Sequence, residues 1–152
     1  MRIGIISDTH GVIRPEALAA LAGSEMILHA GDVGAPSVLA ALQTIAPVVA
    51  VRGNNDVGPW AARLAATKTI RAAGERLYLL HDVKALDVDP VARGVRVVVS
   101  GHSHRPTSET RDGVVYLNPG SAGPRRFDLP VSVGRLSIAD GKLRGEIVYL
   151  QV

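Results

Sequence analysis

Residues 2–10 read Arg2-Ile3-Gly4-Ile5-Ile6-Ser7-Asp8-Thr9-His10, and this stretch decides the fold. Its first part, residues 2–7, is a short apolar, β-branched run of the kind that makes a buried strand. It stops on two chemically active side chains, Asp8 and His10. Outward from it, Pro15-Glu16-Ala17-Leu18-Ala19-Ala20-Leu21 puts proline in a first turn and alanine along the rest, which predicts a helix closing near Gly23. Residues 25–29 predict a second strand. Residues 36–45 repeat the helix signature between Pro36 and Pro47, and residues 48–51 predict a third strand. This β–α–β–α–β alternation calls for a parallel sheet covered by helices.

Farther along, residues 59–66 read as a short helix, and 76–81 and 95–100 as strands. After His104 the texture changes. Two hairpins are expected, at 107–118 around Asp112-Gly113 and at 131–150 around Asp140-Gly141. No repeat, low-complexity tract or linker divides the chain, so residues 1–152 are expected to form one domain with one core. Arg2 followed by the apolar run faintly resembles a signal peptide, but the run is too short and Asp8 ends it. No segment is long enough to span a bilayer, so no membrane is expected and the default compartment is the cytoplasm.

Composition narrows the chemistry. There is no cysteine, which excludes disulfides, thiolate zinc sites, iron–sulfur clusters and a cysteine nucleophile. One Trp, three Tyr and one Phe are too few for a base-stacking platform. The net charge of +3 comes from arginines scattered along the chain, which reads as a solvated surface or as mild attraction for anionic substrates.

The strand ends carry the informative residues. They end on Asp8-Thr9-His10, His29-Ala30-Gly31-Asp32, Gly53-Asn54-Asn55-Asp56, His81-Asp82 and Gly101-His102-Ser103-His104. Ligands of parallel α/β sheets bind outside the carboxyl ends of the strands, so these residues are expected to converge. In extended chain, residues i and i+2 project to one side, which pairs Asp8 with His10 and His102 with His104. Oxygen and imidazole donors without sulfur suit Mn²⁺, Fe²⁺, Ni²⁺ or Zn²⁺. Asp8, His10, Asp32, Asn54, His81, His102 and His104 are seven candidate ligands, more than one ion needs and enough for two. Two ions roughly 3.5–4 Å apart clamp both the nucleophile and the oxygens of a transferring phosphoryl group.

Together, Asp8-x-His10, Gly31-Asp32, Gly53-Asn54, His81 and Gly101-His102-x-His104 resemble the calcineurin-like metallophosphoesterases. The stretches ISDTHG, LHAGDV, GNND, SGHSHRP and LNPGS are similar to its small bacterial and archaeal phosphodiesterase branch. The resemblance covers nearly the whole chain. It implies a four-layer αββα sandwich: two mixed sheets flanked by helices. It implies two divalent ions, Mn²⁺ foremost with Fe, Ni or Zn as alternatives. Asp8, His10 and His104 match the ligands of one ion, and Asn54, His81 and His102 those of the other. Asp32 matches the bridging carboxylate, and a bridging hydroxide is the implied nucleophile. Asp32, Asn54, Asn55 and His102 are the implied catalytic residues, acting on a small phosphate ester. Many superfamily members carry a His at position 55 that helps protonate the leaving group. An amide cannot deliver a proton near pH 7, so Asn55 is expected only to orient the phosphoryl group. The small-phosphodiesterase branch lacks that His too.

The neighbouring residues have plainer readings. His29 is expected either to orient a ligand or simply to pack, and Asp56 to anchor its turn. Asp82 is either solvated or adds negative potential near the ions. Arg105 sits at the site mouth or on the surface, and Asn118-Pro119-Gly120-Ser121 is a turn that either touches the site or does not. Two rival functions share the pattern. A binding module like the retromer scaffold subunit has this fold, but that reading predicts missing ligands, and all seven are present. A nuclease is disfavoured by the lack of a basic stripe or added domain, so nucleic acid is not the expected partner. Edge strands in the C-terminal hairpins leave a homo-oligomer open.

Overall fold

The computed structural model describes residues 1–152. In chain order its strands and helices are β1 (Arg2–Ile6), α1 (Pro15–Leu21), β2 (Met26–His29), α2 (Pro36–Gln43) and β3 (Val48–Ala50). Then follow β4 (Thr67–Ala72), β5 (Glu75–Leu80), β6 (Val95–Val99), β7 (Thr107–Arg111), β8 (Val114–Asn118), β9 (Ser132–Ala139) and β10 (Lys142–Tyr149). Ten strands make two mixed five-stranded sheets, ordered β10-β9-β1-β2-β3 and β4-β5-β6-β8-β7. β1, β2 and β3 run parallel, and so do β5, β6 and β8. Both C-terminal hairpins finish at sheet edges, as β7 and β10.

Alternation along β1 explains the layering. Ile3 and Ile5 face the second sheet, where they meet Leu77, Leu79, Val97, Val99 and Leu117 in the main core. Ile6 faces the other way, onto Ala17 and Leu21 of α1 and Val38 and Leu42 of α2. A seven-residue helix is not stable alone. Burial of Ala17 and Leu21 therefore holds α1, each large apolar side chain contributing about 1.5–3 kcal/mol.

Both helices cover the first sheet. On the outside of the second sheet the fourth layer is thin: residues 82–94, with one 3₁₀ turn at Val83–Ala85, lay Leu86 and Val88 over Tyr78, Leu80, Val95, Val98 and Val114. The helix expected at 59–66 is only a 3₁₀ turn, Ala61–Arg63. Ala65 forms a bridge with Val51, so the chain must already be extended there. β4 goes beyond the sequence reading. No helix is long and apolar enough to cross a membrane.

Candidate metal centre

The loops that leave the parallel strands are laced to one another. Asp8 N–H donates to the Gly31 carbonyl at 3.0 Å, His10 N–H to Asp32 O at 2.9 Å and Gly101 N–H to His81 O at 2.9 Å. The buried Asp56 carboxylate accepts from the backbone N–H groups of Val33, Gly34 and Gly53 at 3.2, 2.9 and 2.9 Å. It ties the loop after β2 to the turn after β3, the anchoring role expected of it. Asp8, His10, Asp32, His102 and His104 all have positive φ, between 48° and 70°. Asp and His tolerate this region better than most residues, but each instance still costs of order 1–3 kcal/mol. Such backbone collects where the surrounding structure over-determines it.

Two carboxylate oxygens form the focus. Asp8 Oδ1 lies 3.3 Å from His104 Nε2, 3.8 Å from His10 Nε2 and 3.9 Å from His81 Nε2. Asp32 Oδ2 lies 3.4 Å from His81 Nε2 and 3.8 Å from His10 Nε2. Asp8, His10 and His104 form one potential ion-binding group, and Asp8, Asp32 and His81 another. His102 is drawn in on the side of His81, its Nδ1 3.3 Å from His81 Nε2. Its Nε2 faces Asp82 Oδ2 at 3.7 Å. Asn54 is exposed on the turn after β3. Arg105 is exposed as well.

The donor set fits divalent cations. Asp8 Oδ1 and His10 Nε2 are buried and have no hydrogen-bond partner, an unfavourable arrangement unless a cation lies between them. His81 Nδ1 donates to the Ala30 carbonyl at 2.7 Å, leaving Nε2 turned toward the two carboxylates. Backbone anchoring of one ring nitrogen is how metal-ligating histidines are commonly oriented. Ligand bonds of 2.0–2.2 Å set neighbouring donors roughly 3–3.5 Å apart, close to the spacings above.

Electrostatics agree. Burial would raise the pKa of Asp8, but the adjacent His104 imidazole, the hydrogen bond from Ser7 and the charge of His81 hold it below the ordinary carboxylate value. Burial opposes ionisation of Asp32 too, yet hydrogen bonds from His81 and from Asn55 push its pKa down strongly. His81 is shifted up despite burial, chiefly by its hydrogen bonds to Asp32 and Ala30. Both carboxylates are thus held as anions.

Asn55 differs from its expected posture. Its backbone N–H donates to Asp32 Oδ1 and its side-chain amide to Asp32 Oδ2, both at 2.9 Å. It clamps the carboxylate with both nitrogens rather than aiming its amide at an incoming phosphate. Ser7 was not foreseen: its hydroxyl donates to Asp8 Oδ2 at 2.6 Å, and His102 N–H donates to the same oxygen at 3.0 Å. A serine between an apolar strand and a candidate ligand was the available signal. The Asn118–Ser121 turn does touch the site: Asn118 Nδ2 donates to Gly101 O at 2.9 Å and Ser121 Oγ to Asp8 O at 3.0 Å.

His29 lies beneath the site rather than in it. Thr9 Oγ1 donates to Val33 O at 2.8 Å and so accepts from His29 Nε2 at 3.0 Å, while His29 Nδ1 accepts from Gly31 N–H at 3.1 Å. One nitrogen donates and the other accepts, so the ring is neutral. Burial takes its pKa down to about 4 from 6.5. Above pH 6.5 folded and unfolded chains are both neutral here and nothing changes. Below it the unfolded chain takes up a proton that the folded one refuses. Stability therefore falls as pH drops from 6.5 to about 4, by on the order of 3 kcal/mol. A ¹⁵N NMR titration should find the His29 ring still neutral at pH 5; a midpoint near 6.5 would remove this contribution.

Comparison with known proteins places the chain. Residues 1–141 match the family model described as calcineurin-like phosphoesterase superfamily domain. A probable metallophosphoesterase of Methanothermobacter thermautotrophicus is 39% identical over 97% of this chain and 92% of its own. Phosphodiesterase YfcE of Escherichia coli is 28% identical over 90% of this chain and 87% of its own. Among solved structures, Vps29 of Chaetomium thermophilum superposes with a TM-score of 0.78 at 19% identity, covering 98% of this chain and 96% of that one, which is a likeness of fold. With the family model over almost the whole chain, and carboxylates and imidazoles gathered at the strand ends, this chain belongs to the calcineurin-like phosphoesterase superfamily.

Proposed function

We propose that the chain is a two-metal phosphodiesterase acting on small phosphate esters. The observation that carries this reading is the position of Asp32 Oδ2, 3.8 Å from His10 Nε2 and 3.4 Å from His81 Nε2, so that one carboxylate faces both ligand groups. Asp8, His10 and His104 would hold one ion, Asn54, His81 and His102 the other, and Asp32 both. Two divalent ions bound there, Mn²⁺ foremost, supply Lewis-acid charge and activate water at neutral pH. Asn55 is a positioning residue that keeps Asp32 in place, with one amide N–H left for a phosphoryl oxygen. With an amide at position 55, the site favours esters whose leaving group departs without a donated proton.

Exposed apolar side chains follow the ligand-bearing loops in sequence. Val12 follows His10 by two residues and Val83 follows His81 by two; both are exposed, and Val57, beside Asp56, is 74% exposed. Phe127, on the loop after Gly123, is 92% exposed. Such side chains beside the site would suit a substrate with an apolar or aryl group next to its phosphate. Phe127→Ala should raise KM for bis(p-nitrophenyl) phosphate about fivefold, the effect of roughly 1 kcal/mol of aromatic contact, with little change for a methyl ester of p-nitrophenyl phosphate. Equal rises for both esters would place the contact on the leaving aryl group, and an unchanged KM for both would refute it.

The YfcE relative is named a phosphodiesterase, which favours the diester reading. The rival, a catalytically weak binding module, draws support from the shared fold of Vps29, since a fold alone does not carry an activity. Metal content and turnover separate them. The purified protein should lose diester hydrolysis with EDTA and regain it with Mn²⁺, holding two ions per chain. Failure to hydrolyse either diester or monoester with Mn²⁺, Fe²⁺, Ni²⁺ or Zn²⁺ would reject the enzyme and leave the binding module.

A further inference from the structure

A well-formed cleft lies away from the metal centre. It lies at the other end of the first sheet, has a volume of about 350 Å³, and is floored by β1, β9 and β10 and walled by the turn after α1. Three arginines far apart in sequence, Arg2, Arg135 and Arg144, line it. Strand register explains their meeting. Arg2 sits opposite Ser137 on β9, and Ser137 opposite Arg144 on β10. One row across three strands thus reads Arg-Ser-Arg. Adjacent strands are about 4.8 Å apart, so the two arginine backbones stand roughly 10 Å from each other across the serine.

The charges in the cleft are unbalanced. Arg135 is committed: it donates to the Ala20 carbonyl at the end of α1 at 2.9 and 2.7 Å and pairs with Glu146 at 3.3 Å. Glu25 accepts the backbone N–H of Arg2 at 2.7 Å, not its guanidinium. Neither Arg2 nor Arg144 has a carboxylate within ion-pair distance, and both are exposed. Gly23 leaves room for the Arg2 guanidinium, whose Nη1 would lie 3.3 Å from an added methyl group. Ser24 and Ser137 add hydroxyls between the cations.

We infer that this cleft is a binding site for a phosphorylated small molecule carrying at least two negative charges, separate from the metal centre. Guanidinium groups match phosphate in a bidentate fork, and two free ones flanking a serine can grip a phosphate from both sides. The volume lies within the range of small-ligand pockets. No aromatic side chain lines the cleft, so it offers nothing for a nucleobase to stack on. From Arg2 to Asp8 is six residues of strand, about 20 Å, so a ligand here does not reach the phosphoesterase site. The inference stands whether or not that site is catalytic.

The test is an amide NMR titration of the Zn²⁺-loaded protein with fructose 1,6-bisphosphate, a small scaffold with two phosphates. Amides of Arg2, Gly23, Ser24, Ser137 and Arg144 should shift saturably below millimolar ligand. The double variant Arg2→Gln/Arg144→Gln should keep its spectrum, bind at least tenfold more weakly, and hydrolyse a diester within twofold of wild type. Asp32→Asn should still bind. Shifts confined to Gly53, Gly101 and His102 would assign the anion to the metal centre. Equal binding by the double variant, or no shift at millimolar ligand, would overturn the inference.

Discussion

Replacing Asp32 by alanine is expected to lower kcat/KM for bis(p-nitrophenyl) phosphate about a thousandfold or more, and to lower the bound metal with it. Its carboxylate faces both His10 and His81, so its loss removes an anion that lies near a histidine of each ligand group. A two-ion clamp stabilises transition-state charge by several kcal/mol, and each 1.36 kcal/mol is a factor of ten in rate. Alanine also leaves a residue at φ 54° without the side chain that tolerates it. Asp32→Asn separates the two effects, because asparagine accepts this backbone. The asparagine variant should hold its thermal midpoint near wild type while metal content and turnover fall. Turnover within tenfold of wild type in both variants would exclude Asp32 as the bridge.

Gly53→Ala should be strongly damaging although it replaces no candidate ligand. A methyl group there would fall 2.1 Å from Asp32 Oδ1 and 2.2 Å from Asp32 N. The backbone nitrogen cannot swing away, so one of the two loops must move. Forcing atoms into a packed site typically costs 1–3 kcal/mol, and for a chain of this size that is a drop in Tm of about 2–12 °C. Because the displaced loop carries Asp32, activity should also fall about a hundredfold. Gly113→Asn on the far hairpin serves as the control: nothing lies within 4 Å of an added side-chain carbon there, and asparagine tolerates its φ of 77°. A Gly53→Ala protein with wild-type midpoint and turnover would mean the loops do not approach this closely.

Much of the fold was legible because β1, β2, β5 and β6 are short, largely buried apolar runs, β3 is a half-buried one, and the hairpin turns carry Asp-Gly. β4 was not, because Thr67, Lys68, Thr69 and Arg71 are exposed on a sheet edge and only Ile70 and Ala72 are buried. The fourth layer was anticipated as helical, but a few half-buried side chains on an irregular strip suffice to cover the second sheet. At the site, residue type and order were enough to nominate Asp8, His10, Asp32, His81, His102 and His104, all of which the strands bring together. The posture of Asn55 was illegible, since only the structure puts Asp32 within its reach. The arginine cleft was equally hidden: Arg2, Arg135 and Arg144 look scattered until strand register sets them side by side.

The thin fourth layer also decides where this protein gives way first. Of residues 82–94 only Pro90 is buried, while Leu86 and Val88 are half-covered. Segments with so few buried contacts open locally at far lower free energy than the core. Such an opening uncovers Tyr78, Leu80 and Val98, a β-rich apolar surface on which a second molecule could add. Limited proteolysis is therefore expected to cut first within this strip. The strip also begins at Asp82, facing His102 at 3.7 Å, so its seam starts at the rim of the reaction centre.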